Sequence, residues 1–416
     1  MNNQIKAQLF GLFLFKNRKA QNLSLENVGK AINKTPAQVR LIEKGVITLS
    51  PEDMNTAAQL LGFPAFKDNM NLQPYFDHLL EKFDDLFFHQ DQEEINKLLC
   101  QIDTQKKKWE SSTMFFLNIL FSLIPYRYSD PDSSYYLALE TMDEYLKYMT
   151  PFELFFYHSL QGVIAYQSHQ IALALKHFEK AVAYDQNRIG LYIQLAIVYQ
   201  TLEYRQKCLL CINRASYLLL KSPDVYRMLQ LSLLYTNLRK EKSISYKEAI
   251  SERLCLYNEC IKGNIISLAT ATLSNISYMY LCNEDYMNGL VYAKKSLELD
   301  HHPASNCHWF IPYCYWKMGA AEEGKQWITS YQDSPSPSSY VSSMCTAIRH
   351  FIDHEIREGI DVLEKVHQYL LASQEMDCLL FLLDWLIEMY SGINDMEKMY
   401  LCEKEVRGIY QRRTET

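Results

Sequence analysis

The chain has 416 residues, of which 48% are hydrophobic and 22% are charged, with only 13 Gly and 12 Pro and a formal net charge of −7. This composition excludes a disordered or fibrous chain and leaves room for two or three folded domains. The longest apolar runs fall short of the ~20 residues of a membrane helix, and the apolar start LFGLFLF precedes its basic residues, the reverse of a signal peptide. We therefore expect a soluble, cytoplasmic protein.

The charge is divided unevenly along the chain. Residues 1–63 contain eight Lys and Arg but only four Asp and Glu, so this segment carries a net charge of +4. The remaining residues hold 34 basic and 45 acidic side chains, a net charge of −11. A small basic segment on an acidic protein confines the binding of a polyanion such as DNA to one part of the chain.

Four or five short helices are predicted in the basic segment. An amphipathic pattern runs from about residue 4 to 19, Ser24 has the position of an N-cap before the next helix, and Asn33 suits a left-handed end to that helix. Thr35 is the predicted N-cap of the following helix, with Pro36 in its first turn, where a missing N–H group has no cost. Two short helices joined by about three residues are typical of a helix-turn-helix, whose second helix enters the major groove of DNA.

The second of these helices carries the predicted DNA contacts. Val39 and Ile42 are expected to face inward, which leaves Gln38 and Arg40 on the outer face. Glutamine pairs with adenine and arginine with guanine, while lysines contact phosphates. A small helical bundle with a solvated polar face is the alternative interpretation. The residues expected to contact DNA are Lys34, Thr35, Pro36, Ala37, Gln38, Arg40 and Lys44.

The sequence of this segment resembles that of a known DNA-binding family. LSLENVGKAINKTPAQVRLIEKG followed by LSPEDMNTAAQLLG is similar to the Cro and phage-repressor (XRE-type) helix-turn-helix, including the Glu-Lys-Gly end of the recognition helix. The resemblance implies a five-helix, lambda-repressor-like domain over residues 1–65. Two positions depart from the family pattern: Leu25 replaces a glutamine that usually contacts a phosphate, and Gly29 replaces a small alanine.

A repeat of 34 or 35 residues dominates the rest of the chain, where from about Leu72 the apolar pattern is helical and indicates no strand. Small residues at fixed offsets allow two helices to approach, and large residues fill the space between them. Such a period of helix pairs is the tetratricopeptide signature, and stacked pairs form a superhelix with an inner groove. The recurring residues are Gly162, Ala174, Phe178 and Ala181, then Ala196, Cys208, Ile212 and Ala215, then Ser277, Tyr280, Gly289, Ala293 and Ser296, then Tyr315, Gly324 and Ile328, and finally Gly359 and Leu363.

These patterns define the predicted domains. After the DNA-binding domain, residues 66–73 are expected to form a linker and residues 74–416 a tetratricopeptide-like repeat domain. The repeat signal is weak over 74–150, and the second helix of the repeat at 226–253 is altered. The segment QDSPSPSS (332–339) is expected to be a loop between two repeats.

The motifs that suggest chemistry have simpler explanations. Eleven cysteines without a repeating framework fit a reducing compartment, and Cys208 and Cys211 of CLLC lie in a helical pattern that indicates core packing. In HFIDH, His350 and His354 lie at i and i+4 of one predicted helix, but a third metal ligand is lacking, so a solvated helix face is expected. No phosphate-binding loop, nucleophile elbow or carboxylate pair indicates an enzyme, and we expect no cofactor and no metal.

The order of the two domains is itself informative. A Cro-type domain followed by tetratricopeptide repeats resembles the peptide-pheromone-sensing regulators of Gram-positive bacteria and their mobile elements, the Rgg, PlcR, PrgX and NprR group. The resemblance implies a cytoplasmic homodimer whose repeat domain binds a short signalling peptide and thereby alters binding to double-stranded DNA, without membrane contact. Two alternatives stay open. The repeats could bind a protein such as a response regulator, or the protein could be a ligand-independent repressor of a mobile element whose repeats only dimerise.

The peptide site is predicted from the register of the repeats. In tetratricopeptide superhelices the first helix of each pair lines the groove, where a carboxamide can donate to a peptide C=O and accept from a peptide N–H. Asn275 and Asn306 are placed at matching positions of neighbouring repeats. The family that this sequence resembles typically has asparagines at such positions. The predicted groove residues are Gln194, Gln200, Gln230, Asn237, Asn275, Tyr278, Asn306, Trp309 and Tyr313.

Dimerisation is assigned to the C-terminal repeats. One DNA-binding domain of this size covers about one half-site, so we expect two chains to pair across a helical turn of DNA, roughly 34 Å, on an operator with two half-sites. The segment CLLFLLDWLIEMY (378–390) is too apolar for an exposed final helix and is therefore the predicted interface.

Overall fold

The structure is a computed structural model that describes residues 3–67, 73–89, 92–129, 131–238, 245–302, 305–333 and 339–415. These residues are mainly α-helical and contain no β-strand, only an isolated backbone bridge between Lys67 and Ser112, so the predicted all-α class is confirmed. In chain order the helices are α1 (Asn3–Ala20), α2 (Leu25–Ala31), α3 (Pro36–Glu43), α4 (Pro51–Leu60), α5 (Gln73–His89), α6 (Gln92–Trp109), α7 (Phe116–Leu123), α8 (Ser133–Asp143), α9 (Pro151–Gln167), α10 (Ile171–Tyr184), α11 (Ile189–Thr201), α12 (Arg205–Leu219), α13 (Val225–Leu238), α14 (Tyr246–Lys262), α15 (Ile266–Cys282), α16 (Tyr286–Leu299), α17 (Cys307–Lys317), α18 (Ala321–Gln332), α19 (Ser339–Ile352), α20 (Ile356–Ser373), α21 (Met376–Gly392) and α22 (Met396–Glu415).

The first four helices begin and end where the sequence places caps. The Ser24 and Ser50 hydroxyls each accept a hydrogen bond from the backbone N–H three residues later. Asn33 has a φ of 53°, the left-handed conformation predicted for the end of α2. Residues 3–67 hold four helices, one fewer than the five that the family resemblance implies. The shared core of these helices includes Phe10, Phe13, Val28, Ile32, Val39, Ile42 and Ala57.

The predicted linker begins inside packed structure. Phe66 is buried, and its ring centroid lies 4.9 Å and 5.1 Å from those of two phenylalanines on α1. The Lys67 N–H donates to the Ser111 carbonyl over 2.8 Å, and the Thr113 N–H donates to the Lys67 carbonyl over 3.1 Å. The remainder of the predicted linker, up to residue 72, lies outside the described residues. Residues 66 and 67 therefore belong to the folded structure around α1 and α7.

The chain divides into two compact units. The first comprises Met1–Ile164 with Lys180–Asp185, and the second comprises Ala165–Glu179 with Gln186–Thr416. The first unit holds the basic N-terminal helices together with α5 to α8. The second unit holds the helices from α11 to α22, and the predicted groove residues all belong to it.

In the second unit, successive helices form pairs joined by turns. Three of the residues that recur in sequence, Ser277, Gly289 and Gly359, lie where the two helices of a pair meet. The Ser277 hydroxyl donates to the Gly289 carbonyl over 2.8 Å, which joins α15 to α16. A Cβ atom on Gly359 would lie 2.5 Å from the Phe351 ring, so α20 can approach α19 this closely only with glycine there. The small residues of the repeat are thus explained by close helix packing.

The apolar segment 378–390 lies in α21, which is not the final helix because α22 follows it. Leu379, Leu383 and Trp385 are almost completely buried, in the same core cluster as residues of α17 and α19. Burial within the chain explains why this segment is apolar. The apolar character of 378–390 is therefore no evidence for an interface there, and a dimer interface in the C-terminal repeats stays a prediction.

Two polar motifs have ordinary structural roles. Cys208 and Cys211 are buried, which confirms that CLLC is core packing. Helix α19 ends before His354, which has a φ of 63°, so the two histidines of HFIDH do not share one helix face as the spacing predicts. His350 Nδ1 lies 2.7 Å from a Glu355 carboxylate oxygen. Across the described ranges, no cluster of three or more His, Cys, Asp and Glu is placed to hold a metal ion.

A membrane span needs a helix that is both long and apolar. Among the helices that the structure describes, none combines the length and the apolar character needed to cross a bilayer.

Candidate functional site

Helix α3 has one buried and one exposed face, as a reading helix of a helix-turn-helix requires. Val39 and Ile42 are 0% and 1% exposed, which confirms their predicted inward direction. Pro36, Ala37, Gln38, Arg40 and Lys44, all predicted to contact DNA, are exposed. The outer face of this helix is therefore open to a ligand.

A reciprocal capping box holds the start of α3. The Thr35 hydroxyl accepts from the Gln38 N–H over 3.3 Å, and Gln38 Oε1 accepts from the Thr35 N–H over 2.9 Å. This arrangement satisfies two backbone donors that a helix start leaves open. Gln38 is thus partly engaged, which the sequence-based assignment overlooked. Its Nε2 group can still donate to an acceptor on a base edge while the cap stays intact.

Lys34 faces its own domain as well as solvent. Its Nζ lies 3.9 Å from Asp53 Oδ2 of α4, and the two side chains are 33% and 34% exposed. An ion pair of this exposure is weak, and phosphate oxygens compete for the same ammonium group. The predicted phosphate contact at Lys34 therefore requires the lysine to leave or share Asp53.

A buried ion pair fixes the far end of α3. Arg18 of α1 donates from Nε and Nη2 to the two carboxylate oxygens of Glu43, over 2.5 Å and 3.0 Å. Its Nη1 also donates to the Leu23 carbonyl over 2.9 Å. The hydrogen bond to Glu43 raises the pKa of Arg18. One of the eight basic residues of the N-terminal segment is therefore engaged within the fold.

The second departure from the family pattern has a local explanation. A Cβ atom on Gly29 would lie 2.4 Å from the Lys34 carbonyl oxygen. The Lys34 N–H in turn donates to the Gly29 carbonyl over 2.8 Å. In this chain the turn before α3 crosses α2 so closely that only glycine fits, and an alanine would push the turn outward.

In the repeats, two predicted groove residues are brought into direct contact. Asn275 Nδ2 of α15 donates to Asn237 Oδ1 of α13 over 3.3 Å. The same oxygen accepts from Nη2 of Arg253, again over 3.3 Å. Both asparagines are half-buried, whereas Arg253 is fully buried. The three side chains form one hydrogen-bonded chain across two neighbouring repeats.

The three predicted glutamines lie on the same set of helices. Gln194 and Gln200 belong to α11 and Gln230 belongs to α13, and all three are half-buried. The Oε1 atoms of Gln200 and Gln230 are inaccessible and have no hydrogen-bond partner among the described residues. Buried acceptors of this kind are normally satisfied by protein, water or ligand. Their lack of a protein partner is consistent with a polar ligand in this region.

The predicted aromatic residues converge on α21. Tyr278 and Trp309 have ring centroids 5.6 Å and 5.4 Å from that of Phe381, and Tyr313 lies 5.0 Å from Trp385. Trp309 and Tyr313 are only 3% and 6% exposed. In this conformation they are core residues under α21 and do not line an open groove, contrary to the sequence-based placement. Tyr278 and Phe381 stay half-buried at the edge of the cluster.

Asn306 does not occupy the position that the sequence predicts for it. It immediately precedes the first residue of α17, and its Oδ1 accepts from Nε1 of Trp309 over 3.2 Å. Asn275 lies seven residues before the end of α15, and the equivalent residue of α17 is Phe310. The two asparagines are therefore not equivalent: they lie 31 residues apart, whereas the ends of α15 and α17 are separated by 35 residues.

Several residues that shape this region escaped the sequence analysis. Lys317 Nζ donates to both carboxylate oxygens of Glu388, and His169 Nδ1 lies 2.6 Å from an oxygen of Glu375, so an ion pair and a hydrogen bond attach α21 and its N-cap to earlier helices. Burial lowers the pKa of Arg253 to about 10. None of these contacts follows the repeat period, so no local pattern could have indicated them.

No protein-family model matches the sequence, and no curated protein matches it. Solved structures match its fold. A Rap protein complexed with competence and sporulation factor has 14% identity and a TM-score of 0.63, over 81% of this chain and 98% of that one. The apo quorum sensor NprR from B. thuringiensis has 16% identity and a TM-score of 0.56, over 82% and 99%. NprR complexed with its cognate peptide NprX has 15% identity and a TM-score of 0.59, over 80% and 98%.

At this level of sequence identity the similarity shows the fold. The repeat region adopts the tetratricopeptide superhelix of these proteins, as the 34-residue period predicts. A Rap protein and NprR each hold a signalling factor or peptide in the complexes compared. The helix-turn-helix and its DNA contacts stay predictions.

Proposed function

We propose that this protein is a cytoplasmic transcriptional regulator that binds DNA through α3 and a short signalling peptide through its repeats, as in quorum sensing. Peptide binding alters DNA binding, and no catalytic step is part of the proposal. One observation carries it: an exposed, capped helix in a basic segment shares a chain with repeats whose fold is that of peptide-complexed regulators. DNA binding is thus the output and peptide binding the input.

The DNA end of the proposal is tested with a selected operator. A duplex enriched from a random pool by the wild-type protein serves as the probe, and binding is followed by fluorescence anisotropy. Replacing Arg40 with alanine is expected to weaken specific binding by about 1–3 kcal/mol and to relax base preference at one position. An R40A protein with unchanged operator preference would show that α3 is not the reading helix.

We propose that the protein binds its operator as a homodimer. One α3 reads one half-site, and two copies held across a helical turn give the affinity that one copy lacks. Sedimentation at micromolar concentration, with and without the selected duplex, measures the assembly. A strictly monomeric protein in both conditions would refute this part of the proposal.

A second candidate function for the repeats is the binding of a protein. Five large apolar side chains on and around α12 and α13 are 51–81% exposed, and exposed apolar patches often mark interaction surfaces. They are Leu210, Tyr217, Leu220, Val225 and Met228. If a protein binds there, replacing Leu210 and Leu220 with serine abolishes its co-purification but leaves DNA and peptide binding unchanged.

A further inference from the structure

Arg253 is the most deeply buried charged side chain near the predicted peptide site. It lies in α14 and is 0% exposed. Its Nη1 donates to the Ala249 carbonyl over 3.1 Å, and its Nη2 donates to the Thr236 carbonyl over 2.7 Å and to Asn237 Oδ1 over 3.3 Å. Its Nε has no partner among the described residues. Within the described part of the chain, the guanidinium therefore contacts neutral oxygens and no carboxylate.

The contact with Arg253 decides which side of the Asn237 carboxamide carries the oxygen and which carries the nitrogen. The two ends of an asparagine side chain are interchangeable in shape, but a guanidinium has only donors. Asn237 must therefore direct its oxygen toward Arg253. The same oxygen faces Asn275, so Asn275 must direct its Nδ2 inward to donate to it. The orientation of both carboxamides follows from one buried charge.

We propose that Arg253 is a positioning residue that fixes which atoms the two asparagines offer to a bound peptide. This inference rests on the proposed peptide binding and deepens it. Asn237 offers its Nδ2 donors, and Asn275, one repeat further on, offers its Oδ1 acceptor. One peptide unit needs a donor for its C=O and an acceptor for its N–H. The pair therefore binds one backbone unit of an extended peptide in a single direction, independently of its side chains.

A purely structural role explains Arg253 less well. Its contact with the Thr236 carbonyl caps the end of α13, but that cap needs only one donor. Among the described residues no carboxylate contacts this buried charge, and Glu252 only attracts it from a distance, so an apolar side chain of similar volume would be tolerated at least as well. Burial lowers the pKa of Arg253, which is the direct sign of the cost of burying the charge. A second role, the orientation of Asn237, accounts for the presence of an arginine at this position.

The orientation is tested without any ligand by comparing two single substitutions. Asn237→Asp keeps two acceptor oxygens, retains the bonds from Arg253 and Asn275, and brings a carboxylate into direct contact with the guanidinium, so the melting temperature is expected to stay level or rise. Asn275→Asp places a carboxylate oxygen against Asn237 Oδ1, so the melting temperature is expected to fall. Asn213→Asp, on the exposed side of α12, is the matched control and is expected to change nothing. The reverse order of the first two variants would overturn the inference.

The consequence for binding is tested with a defined probe. Immobilised synthetic heptapeptides of randomised sequence are screened with the full-length wild-type protein, and the strongest binder is then used in solution. Asn237→Asp removes the donor while preserving the fold, so binding is expected to weaken about tenfold or more. Wild-type-like affinity of this variant would overturn the inference.

An Arg253→Met variant separates positioning from packing. If it folds, Asn237 is free to flip, and the added loss of stability caused by Asn275→Asp is expected to disappear in the double variant. If that loss persists unchanged, Arg253 does not orient the pair and the inference is wrong. If the Arg253→Met variant does not fold, the comparison of Asn237→Asp with Asn275→Asp still decides the orientation. If the wild type binds no heptapeptide, the proposed peptide binding fails, while the melting order still tests the orientation.

Discussion

Arg18 in the N-terminal helices and Arg253 in the repeats are both almost completely buried, but their charges are accommodated in opposite ways. Arg18 is 6% exposed and forms a bidentate ion pair with Glu43, which raises the pKa of the guanidinium. Arg253 is 0% exposed and, among the described residues, contacts only carbonyl and carboxamide oxygens, and burial lowers its pKa to about 10. The paired arginine holds α3 in one place. Arg253 keeps its charge beside the predicted ligand site.

The difference is informative because a buried charge without a carboxylate is unusual unless something else needs it. In the N-terminal helices, the three guanidinium nitrogens of Arg18 all donate to groups of the fold itself, the Glu43 carboxylate and the Leu23 carbonyl. In the repeats the donors of Arg253 organise side chains that still have free hydrogen-bonding atoms. The same residue type therefore serves rigidity in one region and, under the proposed peptide binding, ligand orientation in the other, and each role can be disturbed separately.

The largest expected effect comes from breaking the paired arginine. Arg18→Met leaves the Glu43 carboxylate buried without its partner, so the free energy of unfolding is expected to fall by about 3–5 kcal/mol. Denaturant unfolding of the N-terminal helices, followed by circular dichroism, measures this change. The exposed substitution Arg40→Ala serves as the control and is expected to cost at most about 0.5 kcal/mol. If R18M lost no more stability than R40A, the ion pair would not hold α3. Adding Glu43→Leu to R18M should restore most of the loss, because no unpaired charge is left.

A smaller effect is expected from a substitution in the repeats, which changes the affinity for the peptide and not the stability of the fold. Asn275→Ala removes one backbone acceptor and is expected to weaken peptide binding by about 1–3 kcal/mol while the fold is retained. Asn306→Ala is the matched comparison. Because Asn306 accepts from Trp309 at the start of α17, its loss is expected to affect local stability more than affinity. Calorimetry with the peptide found by screening distinguishes the two. Equal affinity losses would mean that both asparagines face the ligand after all.

The smallest expected effect concerns the cap of α3. Thr35→Ala removes the hydroxyl acceptor of the capping box and is expected to destabilise the N-terminal helices by about 1 kcal/mol. Thermal unfolding measures the loss, and Thr35→Ser, which keeps the acceptor, is the control. Because the cap also holds Gln38, operator affinity should fall with T35A more than with T35S. Identical behaviour of the two variants would show that the cap contributes nothing.

The parts of the structure that depend on contacts between residues close together in the sequence were predictable from the sequence. Caps such as Ser24 and Thr35, the left-handed Asn33 and the buried Val39 all follow from short-range rules. The helix pairs follow from a period that close packing imposes. In each case the physical cause lies within one turn of helix or one repeat.

The candidate site was predicted only in part because its geometry depends on contacts between distant residues. The sequence places Asn237 and Asn275 on adjacent groove helices, and they do touch. It does not reveal that α21 covers Trp309, because nothing local indicates that Phe381 returns to that helix. Asn306 lies 31 residues after Asn275, short of the 35-residue step from Tyr280 to Tyr315, so its assignment departed from the period, which points to Phe310 instead.

The packing of Phe66 limits where the N-terminal helices can be joined to the repeat domain of another protein. Its ring lies against α1, and Phe115 lies 6.1 Å from Phe13 on the same helix. A chimera joined at residue 65 would therefore separate aromatic partners that fill one core. To transplant the N-terminal helices onto a foreign repeat domain, the border must carry Phe66 and a ring equivalent to Phe115. Recombination between proteins of this architecture is expected to succeed only where both sides of this contact are transferred together.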